Sequence, residues 1–284
     1  MTTTPASPPT RATPPASPPA PPPTEAGLWD QQADDWAEIQ EAQCTPLFEA
    51  ALAALDLRPG STVLDVGCGS GLALALAAAR GAEVSGLDAA PELVRIARRR
   101  VPGAADLSTG TLDGLPYADR SFDVVMSFNA LRYAADPVAA VAGFARKTRY
   151  GGAVCLGGWG EPDRCETTGF LFSVVAALPR PPQGSQGEAA NTPAQIRSVM
   201  RRAGLEPVTT GEVACPFVYA SVEAAWMALS STGLLRFAIG HLGEPAVRAL
   251  FDTAFAGSVR PDGTVRQENV FEYSIARVGA PSGT

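Results

Sequence analysis

VLDVGCGSG, Val63 to Gly71, is the stretch that decides the fold of this chain. Its opening residues, with Thr62 before them, form a short apolar, β-branched run of the kind that makes a strand buried on both faces of a parallel sheet. Gly67, Gly69 and Gly71 then give a turn in which no Cβ keeps a ligand away from the backbone. A helix-period stretch over 72–80 follows, so the turn opens on a helix N-terminus, whose free amides and positive dipole end suit an anionic group. A second strand over 82–87 runs into Gly86-Leu87-Asp88, and an acid at this offset can accept both hydroxyls of a ribose. A glycine turn alone is as readily a tight structural turn. Strand, glycines, helix and downstream acid in this order point to a nucleoside pocket. A dinucleotide fingerprint asks for G-x-G-x-x-G, whereas Leu72 stands at the place of its last glycine and the spacing here is G-x-G-x-G.

Outward from this stretch the alternation continues. Pro91 opens a helix over 91–100, a strand spans 121–128, a helix 137–149 and a strand 153–157. Strand and helix taking turns predict a doubly wound α/β sheet covered on both faces. Upstream, Trp29, Trp36, Ile39, Leu47, Phe48, Leu52 and Leu55 recur at helical spacing until Pro59-Gly60, giving lead-in helices. Past Trp159 the pattern loosens: helix over 167–178, a Pro/Gly/Gln loop over 179–190, and a helix over 193–203 capped by Thr192. A strand over 206–217, helical periodicity over 221–255 and a last strand over 265–277 after the turn Pro261-Asp262-Gly263 complete the chain. The latter half is expected to fold over the ligand-bearing edge as a helical cap.

Composition narrows the function classes. Met1 to Thr24 is almost wholly Pro, Ala, Ser and Thr, a disordered tail by composition. It lacks the basic start and apolar run of a secretory signal, and no later run is long enough to span a bilayer, so a cytoplasmic protein is expected. Cys44, Cys68, Cys155, Cys165 and Cys215 have no paired spacing and fit reduced, buried thiols. A single histidine, His241, excludes a His-rich metal site; no metal is expected. A formal charge of −7 without a basic stripe argues against nucleic acid and makes a neutral or cationic small molecule the easier partner. Lys147 is the only lysine, and the excess of Arg and Ala is that of a GC-rich, bacterial coding sequence.

VLDVGCGSG, followed by GLDAAPELVRIAR and GTLDGLPYADRSFDVVMSFNALRYAADP, resembles the class I S-adenosylmethionine-dependent methyltransferases, especially the bacterial small-molecule group. The resemblance covers residues 57–157, and the segment 193–205 ending in Ala-Gly-Leu and the Phe271-Glu272-Tyr273 strand suit the same fold. It implies a Rossmann-like, mostly parallel sheet of seven strands with a helical cap. It also implies an S-adenosylmethionine site, with Asp65, Gly67, Cys68, Gly69 and Gly71 around the methionine end, Asp88 on the ribose and Ala89 beside the adenine. In the family an acid often follows the third strand; Thr111 and Leu112 stand there instead. Asn129 ends a strand near the cofactor, and Trp36 and Gln43 lie in the lead-in helices that close over it in similar enzymes. The substrate side falls to Arg132 and Tyr133, with Trp159, Phe172, Trp226 and Phe237 as aromatic walls, although core packing is the commoner role of such residues.

Many relatives carry histidines near the positions of Arg132 and Tyr133. Tyr133 is left as hydrogen-bond donor or weak base, and His241 as a base if the fold brings it over the pocket. The expected organisation is a tail over 1–25, lid helices over 26–57, the cofactor core over 58–160 and the rest of the sheet with its cap over 161–284. The expected reaction is methyl transfer to an oxygen, nitrogen or carbon of a small, specialised metabolite by a monomer or homodimer with no membrane partner. Three alternatives stand beside it. One is a cyclisation or rearrangement in which the cofactor is structural, and another is a non-catalytic binding protein. The third is an NAD-dependent oxidoreductase, against which count Leu72 and the lack of a Tyr-x-x-x-Lys pair.

Overall fold

The computed structural model describes residues 24–180 and 192–280. The tail expected ahead of Thr24, and the loop expected over 179–190 beyond its first two residues, lie outside the described residues. The tail boundary moves: helix α1 (Glu25–Asp30) already begins inside it, with the Thr24 hydroxyl accepting the Gly27 amide at 3.2 Å as an N-cap. The lead-in continues through α2 (Ala33–Asp35), a π-helical turn (Trp36–Gln40), a 3-10 turn (Glu41–Cys44) and α3 (Thr45–Ala54).

The alternating core follows as β1 (Thr62–Val66), α4 (Leu72–Ala78), β2 (Glu83–Asp88), α5 (Pro91–Arg100), β3 (Asp106–Thr109), β4 (Phe122–Phe128), α6 (Pro137–Lys147) and β5 (Thr148–Trp159). Local chemistry sets these boundaries. Helix α6 has Pro137 at its first position and the Asp136 carboxylate accepting the amides of Val138 and Ala139 at 2.9 and 3.0 Å. Helix α5 ends on Arg98, Arg99 and Arg100, cations that suit the negative end of its dipole. The helix expected to reach residue 149 stops at Lys147, because Thr148 already pairs with Phe122 and begins a strand more than twice as long as expected.

The second half contains α7 (Glu166–Ala177), α8 (Pro193–Arg202), β6 (Pro207–Ala214), β7 (Phe217–Tyr219), α9 (Val222–Ser230), α10 (Gly233–Leu242), α11 (Glu244–Phe255), β8 (Val265–Gln267) and β9 (Val270–Arg277). Two expected strands are each split here. The stretch 206–217 leaves the main sheet after Ala214, and 265–277 breaks at Asn269, whose carbonyl accepts the Cys215 amide at 2.8 Å while its side chain exchanges bonds with Thr167. The detached pieces, β7 and β8, pair with one another as a separate antiparallel ribbon. The helical run 221–255 is three helices, interrupted at Ser231-Thr232 and at Gly243 with φ of +82°.

The main sheet has seven strands in the order β3-β2-β1-β4-β5-β9-β6. Strands β1 to β5 are mutually parallel, and β9 is antiparallel to both of its neighbours. The doubly wound, mostly parallel seven-stranded α/β fold is thus as expected. Successive residues of β1 serve opposite faces: Val63 packs with Leu47, Leu74 and Met126, whereas Leu64 packs with Val125, Val141 and Phe144. The first of these cores runs on through Phe170, Phe251 and Phe255, which fastens α7 and α11 to the sheet. Each such buried ring contributes roughly 1.5–3 kcal/mol. Among the described residues no helix is long and apolar enough to cross a membrane.

Candidate functional site

At the C-terminal ends of the parallel strands, β1 runs into the glycine turn. The Gly67 and Cys68 amides both donate to the Leu87 carbonyl, at 2.8 and 3.1 Å, which ties the turn to the end of β2. All three glycines have positive φ. A Cβ on Gly67 would lie 2.3 Å from the Cβ of Ala130, and one on Gly69 would lie 3.1 Å from Glu41 Oε1 and 3.6 Å from Trp36 Nε1. Gly71 has a different reason: a Cβ there would meet Ala97, so this glycine lets α4 approach α5 and does not admit a ligand.

The anion at this helix N-terminus is the chain's own. Glu41 reaches in from the lead-in segment; its Oε1 accepts the Ser70 amide at 3.1 Å, and its Oε2 is hydrogen-bonded to the Ser70 hydroxyl and to Arg100. Arg100 also donates to the Ser70 carbonyl at 3.0 Å and to the Ala37 carbonyl at 3.1 Å, closing a clasp between lead-in, turn and α5. Burial pushes the Glu41 carboxyl up, against the opposing pull of Arg100 and Ser70. Sequence reasoning missed Glu41, because nothing in the primary structure links positions 41, 70 and 100.

Asp88 holds the other side of the turn. Its two oxygens accept the amides of Gly69 and Ala90, each at 2.9 Å, while burial raises its pKa. Asp65 is buried, and among the described residues its Oδ1 has no hydrogen-bond partner. Burial first, then the charges of Asp88 and Glu41, raise its carboxyl well above the usual carboxylate range. Beside it, Trp36 Nε1 is a buried donor without an acceptor and Asn129 Oδ1 a buried acceptor without a donor. Asn129 directly follows β4 at φ of +55°, a left-handed conformation that a non-glycine residue holds only when its surroundings impose it.

Trp36, Glu41, Cys44, Asp65, Gly67, Cys68, Gly69 and Asn129, among others, line a cavity of about 360 Å³, and Asp88 and Gly71 are not among its lining residues. A larger cavity of about 930 Å³ adjoins it, and Trp36, Cys44 and Asn129 line both. Of the expected substrate-side residues, Arg132, Tyr133 and Trp159 line the larger cavity. Trp29 and Phe217, which sequence reasoning did not single out, line it too, and Trp29 packs edge-on against both Trp36 and Tyr133.

Other expected site residues lie elsewhere. His241 is exposed at the end of α10, its Nδ1 2.9 Å from the Phe237 carbonyl and its ring 4.1 Å from that of Phe237, and neither residue lines either of these two cavities. Phe172 is 58% exposed on α7, where its neighbour Leu171 faces the larger cavity instead. Trp226 is core, packed on Phe251 under Arg248. Gln43 exchanges two hydrogen bonds with the Val218 backbone and so ties the lead-in to the β7–β8 ribbon. Ala89, exposed Thr111 and buried Leu112 lie outside both cavities. Lys147 donates to the Tyr117 carbonyl and to Asp119, a structural role remote from the turn.

Residues 64–156 match the family described as a methyltransferase domain. An uncharacterized 37.1 kDa protein in transposon Tn4556 of Streptomyces fradiae is 39% identical over 117 residues, 39% of this chain and 33% of that protein. A ubiquinone biosynthesis O-methyltransferase of Cereibacter sphaeroides is 30% identical over 156 residues, 52% of this chain and 62% of that enzyme. The chain thus spans between a third and two thirds of the length of these relatives. Among solved structures, the cyclase SpnF superposes with a TM-score of 0.55 at 17% identity, covering 91% of this chain and 97% of that one, a likeness of fold. The matched segment, residues 64–156, spans the glycine turn and the parallel part of the sheet, so this part of the chain is similar to a methyltransferase domain.

Proposed function

We propose that this protein transfers a methyl group from S-adenosylmethionine to an oxygen, nitrogen or carbon of a small molecule held in the larger cavity. The observation that carries the reading is the buried, unpartnered Asp65 carboxylate oxygen beside an unpartnered indole N–H and two further carboxylates. Such a cluster is poised for a ligand with one cationic and one anionic end. Asp65 fits the cofactor's ammonium, the Trp36 Nε1–H its carboxylate, and Asp88, fixed by two amides, its ribose hydroxyls. A pyrophosphate suits the site poorly, because Glu41 already takes the amide and hydroxyl of Ser70 at the helix start.

When bound, S-adenosylmethionine supplies an electrophilic methyl group. The chain's own part is positioning and exclusion of water. Trp36, Cys44 and Asn129 form the boundary across which the two cavities meet, and the Asn129 amide oxygen can accept a hydrogen bond from the attacking hydroxyl or amine. Holding two reactants in line can account for about 7–11 kcal/mol of barrier reduction at best. Tyr133, in the wall of the larger cavity, is the side chain we assign to receiving or steering the substrate's proton.

The lead-in over 26–57 acts as the lid of the cofactor site, residues 58–160 form its cradle, and residues 161–284 supply Leu171, Ile196, Phe217 and Phe271 to the substrate walls. The apolar walls of that cavity favour a largely hydrocarbon acceptor, which we take to be a specialised metabolite. Incubation with methyl-labelled S-adenosylmethionine and a metabolite panel tests the reading: label and a mass gain of one methylene group in a product support it. A product isomeric with its substrate, formed while the cofactor stays bound, replaces it with a rearrangement.

A further inference from the structure

The larger cavity is walled chiefly by hydrocarbon and aromatic surface, including Trp159, Leu171, Phe217, Leu234 and Phe271. One charged side chain is set among its lining residues, Arg132. It sits on the 3-10 turn Leu131–Tyr133, directly after the strained Asn129. Its Nε is buried without a hydrogen-bond partner, and among the described residues no acid pairs with it. The Tyr133 ring lies 5.5 Å from its Cζ, which steadies the guanidinium without supplying Nε with an acceptor.

A buried guanidinium N–H with no acceptor is a standing cost in the free protein unless a ligand supplies the acceptor. The acids of the site, Glu41 and Asp65, line the smaller cavity and not this one. We propose that the molecule bound in the larger cavity is an apolar, ring-bearing acid whose carboxylate is received by Arg132. The proposal rests on the methyl-transfer reading for what happens next, not for the binding itself. It departs from the neutral or cationic partner that the overall charge of −7 suggests, because the local field of a cavity is set by the groups that line it.

A carboxylate fits better than a phosphate. The fork of Nε–H and one Nη–H matches two carboxylate oxygens, whereas the second charge of a phosphate monoester would be left unpaired among apolar walls. Arg132 lies three residues after Asn129, which lines both cavities, and the proposal sets the carboxylate near that boundary, with the acceptor atom on the same ring as the acid or on an adjoining one.

The test uses the full chain saturated with S-adenosylhomocysteine and titrated calorimetrically with aryl carboxylates of one to three rings, each paired with its methyl ester. At least one acid is expected to bind ten-fold or more tightly than its own ester. Arg132→Gln levels that pair, while its affinity for S-adenosylhomocysteine stays within two-fold of the parent. If no acid in the panel exceeds its ester three-fold, the proposal is overturned. It is equally overturned if Arg132→Gln weakens S-adenosylhomocysteine ten-fold and leaves the acid unaffected, which would give Arg132 to the cofactor. Should Arg132→Gln not fold, Arg132→Lys keeps the charge but not the fork, and must cut the acid's advantage at least three-fold. Absence of S-adenosylhomocysteine binding to the parent protein would sink the methyl-transfer reading alone, since acid and ester can still be compared on the ligand-free chain.

Discussion

Asp65 concentrates the conflict between folding and binding in one side chain. Its carboxyl has a raised pKa in the fold through burial and through the charges of Asp88 and Glu41, against a usual value of 3.8. Below that value both folded and unfolded chains carry the proton, and the fold suffers no penalty. As pH rises the unfolded chain releases its proton first, so stability falls until the folded pKa is passed. Asp65→Asn removes this penalty; a gain of about 1 kcal/mol corresponds to roughly 2–4 °C in Tm for a domain of this size. The gain is expected to grow between acid and neutral pH, as followed by thermal melts of both proteins across a pH series. Binding runs the other way, because a cationic ligand group needs the ionised acid. Affinity for S-adenosylhomocysteine should rise with pH in the parent, and Asp65→Asn should weaken it ten-fold or more while losing that pH dependence.

The clasp of Glu41, Ser70 and Arg100 and the glycine turn belong to the scale of elements. Arg100→Met would leave a buried carboxylate without its cation; removing one partner of a fully buried pair costs about 3–5 kcal/mol, and the partial exposure of Arg100 brings the expectation to roughly 2–3 kcal/mol. Urea denaturation should show most of this loss recovered when Glu41→Gln is added, since the second change removes the stranded charge. Gly69→Ala should fold and yet bind the cofactor poorly, because its Cβ would project toward Glu41 Oε1 and Trp36 Nε1. Gly67→Ala should fail to accumulate as folded protein, its Cβ colliding with Ala130.

What could be read beforehand divides along the same line. Strand β1, the helix from Pro91 to Arg100 and the acid at Asp88 follow from hydrophobic runs and local caps, and they stand where the primary structure puts them. The divided strands at 206–217 and 265–277 do not, since alternation continues smoothly while only the Asn269 contacts with Cys215 and Thr167 show that the chain changes sheets. Among site residues, Asp65, Gly67, Cys68 and Gly69 of one contiguous motif line the smaller cavity, while Gly71 packs against α5. For His241, Phe237, Phe172 and Trp226 the only signal is residue type, and side-chain identity says nothing about which face of a helix meets a cavity.

At the scale of the whole molecule, two cavities share one wall at the C-terminal edge of the sheet, the usual ligand position of open α/β folds. Three of the four tryptophans, Trp29, Trp36 and Trp159, line them, and Trp226 is core. Intrinsic fluorescence should therefore report both ligands separately: Trp36→Phe should abolish most of the change caused by S-adenosylhomocysteine, and Trp159→Phe most of that caused by an acceptor. In thermal melts S-adenosylhomocysteine should raise the midpoint and NAD should not, because only a ligand of the native state shifts it.

Cys44 stands in the shared wall, so a nucleophilic sulfur faces the place where an activated one-carbon unit would pass. Burial, with smaller contributions from Cys215 and Glu41, drives the pKa of this thiol far upward and keeps the proton on sulfur. A thiolate there would make the protein its own victim, capping itself once and halting. Locked as a neutral thiol, Cys44 spares the protein this self-inactivation, and prolonged storage with the donor alone should leave the intact mass of the polypeptide unchanged.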